Sequence, residues 1–422
     1  MKKIIRRRPL VNAAPLSADM PAILQRVYQA RGVTDSKQLV NQLSLLQKPQ
    51  FKGMEDAVNI IADAIVAQAR VMVIGDFDAD GATSSALAVL ALRAMGLQQV
   101  DFLVPNRFEY GYGLTPEIVA VAAESHPDLI VTVDNGIASV EGVNAAKELG
   151  IAVVVTDHHL PGAVLPDADA LVNPNQPGCN FPSKNLAGVG VIFYVMSALR
   201  AELRQMGWFE ESGIPEPNMA SFLDLVALGT VADVVPLDHN NRILVAQGLQ
   251  RMRAGFARPG IKALLEVAGR QADKLVASDL GFIIGPRLNA AGRLDDMSLG
   301  IQCLLTEDEN LAKEMAMELD GLNRDRKAIE SGMQQEALRM LQQLEDKEAS
   351  SLPWGLCLFD DCWHQGVIGI LASRLKDRYH RPVIIFADAG DGLIKGSARS
   401  VSGLHIRDAL DAVAARHPGL IS

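Results

Sequence analysis

Residues 71–85, VMVIGDFDADGATSS, decide how the rest of the chain is read. Four apolar, mostly β-branched residues ending at Gly75 describe a short strand buried on both faces, as in the middle of a parallel sheet. Asp76, Asp78 and Asp80 follow at every second position, and Gly81, Ala82 and Thr83 then open a small-residue run into a helical pattern at 84–95. Three carboxylates this close repel one another. Burying them uncompensated either protonates them or costs on the order of several kcal/mol. A divalent cation at the strand end removes that cost. For a single Asp-x-Asp, a solvated acidic turn or a helix cap is the competing explanation.

Two further apolar runs end in the same way. Residues 129–133 lead into Asp134-Asn135-Gly136, and 151–155 lead into Thr156-Asp157-His158-His159. From about 54 to 175 helical and strand patterns alternate, with helices at 54–70, 83–95, 116–125 and 139–149 and strands at 71–75, 100–104, 129–133 and 151–155. That alternation implies a parallel sheet covered on both faces. The carboxyl ends of such strands meet at one edge of the sheet, where ligands bind.

These motifs, in order, resemble those of the DHH phosphoesterase superfamily: Asp-Phe-Asp-Ala-Asp-Gly at 76–81, Asp134-Asn135-Gly136, Asp157-His158-His159 and Gly229-Thr230-Val231-Ala232-Asp233. Val104 to Phe108, Gly111-Tyr112-Gly113, Leu186-Ala187-Gly188-Val189-Gly190, the run GPRLNAAGR at 285–293 and Trp363-His364-Gln365-Gly366-Val367 extend the likeness. Within the superfamily they resemble the RecJ-type single-strand-specific exonucleases from about residue 50 onward. The resemblance implies two divalent cations, and a mixed oxygen and imidazole shell suits Mn²⁺, with Mg²⁺ as substitute. One would be held by Asp76, Asp78 and Asp134, the other by Asp80, Asp134, His158 and Asp233, with Asp134 shared. Some relatives carry a histidine where Ile74 stands, and Asp76 takes over as ligand. His159 would face the scissile phosphate or its leaving group, or else only orient its neighbour, and Asp157 would support the histidines.

Composition sets the outer bounds. The 422 residues fit two or three domains, and 49% hydrophobic content suffices for sizeable cores. Cys179, Cys303, Cys357 and Cys362 lack metal-finger spacing, which reads as reduced thiols in a cytoplasmic protein. The start, MKKIIRRRPLVNAAPL, has no apolar core of signal-peptide length, and no stretch reaches the roughly 18 apolar residues of a membrane span. A net charge of −10 means that the molecule as a whole does not attract a polyanion. Nucleic-acid binding then rests on local positive potential and bound metal.

Residues 1–50 read as an N-terminal arm, where Lys2, Lys3, Arg6, Arg7 and Arg8 are either solvated or phosphate contacts. A DHH-type catalytic domain is expected at 51–307, with a helical part at 186–307 interrupted by loops carrying Asp233 and Arg287 to Arg293. Leu311, Met315, Leu319, Leu322, Ile329, Met333, Met340 and Leu344 recur at helical spacing, marking an amphipathic connecting helix at 308–348. A smaller α/β domain at 349–422 resembles the DHHA1 domain. RecJ-type proteins continue into a Gly-Gly-His motif and usually an oligonucleotide-binding fold, so a sequence ending at Ser422 is expected to be either a fragment of a longer protein or a form with reduced grip on substrate.

Arginine's planar fork suits phosphate. Arg107, beside Phe108, Tyr110 and Tyr112, places a cation among rings on which unpaired bases stack, or else Phe108 is core and Gly111 and Gly113 make a turn. Arg287, Asn289 and Arg293 lie in a glycine-bracketed segment able to present donors to a phosphate, with an ion pair from Arg293 to Asp295 or Asp296 as the alternative. Lys395 to Ser400, with Ser397 and Arg399, forms a candidate cradle for a terminal phosphate. The expected activity is hydrolysis of single-stranded DNA to mononucleotides. The resemblance implies 5′ to 3′ direction, a role in recombination and repair, and a monomer working with a single-strand-binding protein and a helicase. A phosphodiesterase for small nucleotides and an inactive DNA-binding scaffold are the rival readings.

Overall fold

A computed structural model describes residues 7–9, 15–105, 111–348, 353–390, 392–417 and 419–420. The chain divides into two units, one of Met1–Gly292 with Asp296–Met317 and one of Arg293–Asp295 with Glu318–Ser422. In the first, α1 (Ala22–Gln29) and α2 (Met54–Val66) precede a sheet built with α3 (Ala79–Ala94), α4 (Pro116–Ala123) and α5 (Val140–Glu148). Its strands are β1 (Val71–Ile74), β2 (Val100–Leu103), β3 (Leu129–Val133), β4 (Ala152–Thr156) and β5 (Ala170–Val172), all parallel in the order β2-β1-β3-β4-β5. The order reverses direction between β1 and β3. Such a switch point leaves a crevice beyond the strand ends, and it is here that Asp76 and Asp134 emerge.

Apolar residues alternate into layers on the two sheet faces. Met72, Ile74, Ile130, Val153 and Val155 pack with Leu114, Ile118 and Val119 beside α4, and with Val143 and Ala146 of α5. Each such aliphatic side chain, fully buried, contributes roughly 1.5–3 kcal/mol.

α3 is nearly wholly buried from Ala79 to Leu92, and it begins five residues before the helical pattern expected from Ser84. Asp78 is its N-cap, accepting from the backbone N–H groups of Asp80 at 2.8 Å and Gly81 at 3.0 Å. The third acid therefore sits inside the first helical turn. Gly81 is needed there because a Cβ would collide with the Asp76 carbonyl.

The chain continues through α6 (Gly188–Gln205), α7 (Trp208–Ser212), α8 (Leu223–Ala232), α9 (His239–Arg253), α10 (Pro259–Val267) and α11 (Ala277–Asp279). A π-helical turn, Leu280–Ile284, then leads into α12 (Gly285–Leu294), followed by α13 (Ser298–Leu305). One expected loop is helical and the other is not. Asp233, the C-cap of α8, opens a non-helical stretch at 233–238, whereas GPRLNAAGR forms α12. Gly, Pro and Asn suggest a loop, but Pro286 lies in the first turn, where its missing N–H costs nothing. The glycines permit close packing instead, since a Cβ on Gly292 would collide with the Phe77 carbonyl.

α14 (Glu309–Glu348) is one continuous helix of 40 residues. Its buried line is Ala312, Ala316, Leu319, Met333, Ala337 and Leu341, while Leu311 and Leu344 are exposed. The Met/Leu stripe places the apolar face partly off register because it leaves out the alanines.

In the second unit β6 (Leu356–Asp360) and β7 (Val383–Gly390) run parallel, and β8 (Leu393–Arg399) is antiparallel to β7. With α15 (Ile368–Tyr379) and α16 (Ile406–Arg416) they complete the unit. Leu358, Val383 and Ile385 pack with Trp363, Leu371 and Leu375, and with Met333, Ala337 and Leu341 of α14. No helix among the described residues is long and apolar enough to cross a membrane.

Candidate metal centre

Four segments bring the acids and histidines together at the β1/β3 switch point. Asp76 leaves β1 with its Oδ1 accepting from the Phe77 N–H at 2.7 Å. Asp80 follows in the first turn of α3. Both of its oxygens are bound by the N-terminus of α6, Oδ2 by the Gly188 N–H at 2.6 Å and Oδ1 by the Val189 N–H at 3.0 Å. The helix end supplies two free donors and a positive dipole to this carboxylate. Gly229 lets α8 pass close by, because a Cβ there would press on Thr83 and Asp80.

Asp134 ends β3 in a left-handed conformation, φ 61°. This unfavourable backbone is held by Asn135, whose side-chain amide donates to the carbonyls of Ile74 and Val133 at 3.0 and 2.9 Å. His158 leaves β4 and points Nε2 at three acids: Asp134 Oδ1 at 3.1 Å, Asp233 Oδ2 at 3.6 Å and Asp80 Oδ2 at 4.0 Å. Asp157 faces the other way. Its Oδ2 accepts from the Ile137 N–H at 2.9 Å, and its Oδ1 from the His158 and His159 N–H groups and the His159 ring Nδ1 at 2.8 Å.

Asp134 Oδ1, His158 Nε2 and Asp233 Oδ2 are buried and have no hydrogen-bond partner. Buried polar atoms rarely stay unsatisfied, and three aimed at one another are the signature of a cation position. The ligand atoms of Asp76, Asp78 and Asp134 lie within 4.8 Å of one another, as do those of Asp80, His158 and Asp233. Carboxylates with one imidazole suit a hard or borderline divalent ion such as Mn²⁺. The residues present fit the group.

The electrostatics agree with this. Burial, then repulsion from Asp233 and Asp78, holds the Asp80 carboxyl well above its ordinary range. Burial, then Asp80, does the same to Asp134. Asp233 is pushed up to about 7 by burial and Asp78. Burial and the neighbouring His159 lower His158, keeping it neutral and able to ligate. His159 differs: burial disfavours its cation, but the hydrogen bond and charge of Asp157 outweigh that and raise it to about 9. Burial likewise acts against the Asp157 anion, and the bonds from His159 and Ile137 hold it below its ordinary range.

The expected substrate residues fall in different places. Arg107, with Phe108 and Tyr110, lies outside the described residues. Tyr112 is half exposed, its hydroxyl 3.4 Å from the His159 ring nitrogens, with the two rings edge to face. Arg287 donates from Nη1 to the Ile283 carbonyl at 2.6 Å. Asn289 accepts from the Ala79 N–H at 2.8 Å, so its oxygen braces the acid-bearing turn. In the second unit Arg293 donates to the Gly366 carbonyl at 3.2 Å. Arg399 donates to Ser373 Oγ at 3.0 Å and Ser397 Oγ at 3.1 Å. Arg293, Arg399, Ser373 and Arg374 line one cleft of about 270 Å³ with Gly369. Sequence reasoning misses Ser373 and Arg374, since neither sits in a glycine-rich or acidic motif. It also misses the asparagines that secure the histidine backbone: Asn173 donates to the His159 carbonyl at 3.0 Å and Asn175 to that of His158 at 2.6 Å. The Asn-Pro-Asn signal at 173–175 marks only a loop.

Residues 70–230 match the DHH family, N-terminal domain, and residues 354–421 match the DHHA1 domain. The single-stranded-DNA-specific exonuclease RecJ of Dickeya dadantii (strain 3937) is 59% identical over 418 residues, 99% of this chain and 72% of that protein. The chain belongs to the RecJ family. A crystal structure of exonuclease RecJ bound to manganese superposes with TM-score 0.72 at 35% identity, covering 88% of this chain and 87% of that one. RecJ of Thermus thermophilus in complex with Mn²⁺ gives 0.74 at 33% identity over 91% of this chain and 53% of that one. Its Mg²⁺ complex gives 0.68 at 31% identity, covering 92% and 50%. RecJ membership accounts for the joint presence of the acid-rich switch point and the second α/β unit.

Proposed function

We propose that this chain is a metal-dependent exonuclease that hydrolyses the phosphodiester bonds of single-stranded DNA to mononucleotides, 5′ to 3′, in recombination and repair. The carrying observation is the convergence of three unsatisfied buried atoms, Asp134 Oδ1, His158 Nε2 and Asp233 Oδ2, in a chain of the RecJ family. Asp76, Asp78 and Asp134 would hold one divalent cation and Asp80, Asp134, His158 and Asp233 the other, Mn²⁺ foremost with Mg²⁺ as substitute. Two bound cations supply a water that is nucleophilic at neutral pH and a counter-charge for the phosphoryl oxygens.

The remaining work belongs to the side chains. Asp80, gripped by two backbone N–H groups, cannot swing away from the crevice. Asp157 accepts from one nitrogen of His159 and keeps that ring protonated at neutral pH, so the other nitrogen, whose neighbour is the Tyr112 hydroxyl at 3.4 Å, would give a proton to the leaving oxygen. Tyr112, beside His159, offers a ring to a base, and Arg107 would serve a substrate phosphate. Arg287 serves the substrate phosphates, and Asn289 serves the substrate through the turn it braces. Arg293, Ser397 and Arg399 hold a terminal phosphate, where the planar guanidinium pairs two oxygens. The same reading puts the enzyme in the cytoplasm, as a monomer working with a single-strand-binding protein and a helicase.

The test is digestion of 5′- and 3′-labelled single strands beside duplex controls, with and without Mn²⁺. Mononucleotides released from the 5′ end of single strands only, and only with metal, are expected. Preference for dinucleotides over long strands overturns the reading.

A further inference from the structure

Away from the metal centre, the first unit contains a cleft of about 780 Å³ lined by Arg8, Arg31, Arg242, His239, Tyr28 and Asp238 among others. It is a basic site on an acidic protein. Among the described residues none of Arg8, Arg31 and Arg242 has a carboxylate within ion-pair distance, and the side chains of Arg8 and Arg31 are exposed. Arg242 spans the cleft wall, donating to the carbonyls of Leu237 at 2.9 Å and Gln38 at 3.1 Å. These partners are neutral; burial acts against the Arg242 cation and the charge of Asp238 only partly offsets that. Among the described residues lining the cleft the one acid is Asp238, which caps α9 through the Asn241 N–H at 3.0 Å and accepts from Ser183 Oγ at 2.7 Å, so three arginines face a single carboxylate.

The cleft is joined to the metal centre by short stretches of chain. Asp233 and Asp238 are five residues apart, so their Cα atoms lie within about 18 Å even if the segment is fully extended. Asn241 donates to the Asn185 carbonyl at 2.6 Å, and three residues later Gly188 binds Asp80. The separation of Asp233 and Asp238 is no more than the span of a few nucleotides.

We infer that the cleft between the N-terminal arm and the start of α9 is a second contact site for the phosphodiester backbone of single-stranded DNA, with Arg8, Arg31 and Arg242 facing phosphates and Tyr28 offering a ring to a base. Rows of arginine with an aromatic ring are what sequence-tolerant single-strand binding requires. The inference rests on the functional reading above and adds a length dependence to it: strands long enough to reach the cleft bind more tightly than those filling only the metal centre.

The experiment measures affinity of the metal-loaded full chain for hydrolysis-resistant, phosphorothioate-linked single strands of about 4 and about 30 nucleotides, across a salt series. Arg8→Gln with Arg31→Gln is compared with Lys262→Gln, a charge change on the exposed surface of α10. Because two phosphate contacts are lost, the double variant should weaken binding of the long strand about tenfold at low salt and reduce its salt slope by about 1.4. The short strand should lose much less, and Lys262→Gln should keep the unaltered affinity and slope. An unchanged long-strand affinity and slope in the double variant overturn the cleft while leaving the exonuclease reading intact. If the unaltered chain binds no single strand of either length, both fall together. Circular dichroism of the double variant separates loss of contact from loss of fold.

Discussion

The side-chain oxygen of Asn289 accepts a hydrogen bond from the backbone N–H of Ala79 at 2.8 Å, across 210 positions of sequence. Ala79 lies between Asp78 and Asp80, in the first helical turn, where no backbone partner exists. Asp78 satisfies the next two N–H groups, and Asn289 satisfies this one. In Asn289→Ala a buried donor is left unpaired, at about 1–3 kcal/mol, and the acid-bearing turn loses its brace. Mn²⁺ affinity measured by calorimetry should fall roughly 10–100-fold. Asn289→Asp keeps the acceptor and should recover most of the thermal stability. Unchanged metal affinity in the alanine variant would show that the turn holds itself.

Glycine contacts provide a discriminating pair. A Cβ on Gly292 collides with the Phe77 carbonyl, whereas one on Gly321, in α14, meets nothing within 4 Å. Gly292→Ala should therefore destabilise by about 1–3 kcal/mol through overpacking against the metal-site turn. Gly321→Ala should stabilise by up to about 1 kcal/mol through helix propensity alone. Urea titrations of both variants check the signs, and equal effects would remove the packing argument.

The acids at 76, 78 and 80 and the runs ending at Asp134 and His158 are legible because period-two carboxylates after a buried strand have few stable environments other than a cation site. Alternating helix and strand patterns likewise point to the parallel sheet. The strand order is not legible, since nothing local in β1 specifies β2 and β3 as its neighbours. GPRLNAAGR reads as a loop because its glycines look like turn residues, although the role of Gly292 is close approach to Phe77. The α6 N–H groups that grip Asp80 are invisible for a simpler reason: backbone donors carry no residue type.

Removing metal should couple stability to pH. Asp80 and Asp134 are held above their ordinary range, and Asp233 moves from 3.8 to about 7. A carboxyl whose folded pKa is raised binds more protons folded than unfolded between the two values. Its contribution to the metal-free chain is therefore most favourable at low pH and is lost as pH rises through about 7. A bound cation replaces those protons. The gain in melting temperature on adding Mn²⁺ should be larger near pH 8 than near pH 5.5, with protons released on binding. Asp233→Asn should shrink the difference. A metal-induced shift independent of pH would mean that these acids are ionised without metal.

His159 and Asp157 make opposite demands on pH. On the proposed role His159 would act protonated, and with its pKa raised to about 9 activity should persist through neutrality and fall only as pH rises past that value. The raised value depends on Asp157, whose hydrogen bond and charge outweigh the burial of the ring. In Asp157→Asn the alkaline limb of kcat should move down toward 6.5, the ordinary value for this ring. His159→Asn should cost about 10²–10⁴ in kcat, the range for loss of a general acid, while Mn²⁺ affinity stays close to that of the unaltered chain. This separation matters because His158, one residue away, would give the reverse pattern: metal affinity lost first, and rate lost as a consequence. An alkaline limb unmoved in Asp157→Asn would assign the proton donor to another group, and a loss of metal affinity in His159→Asn would make this ring a ligand.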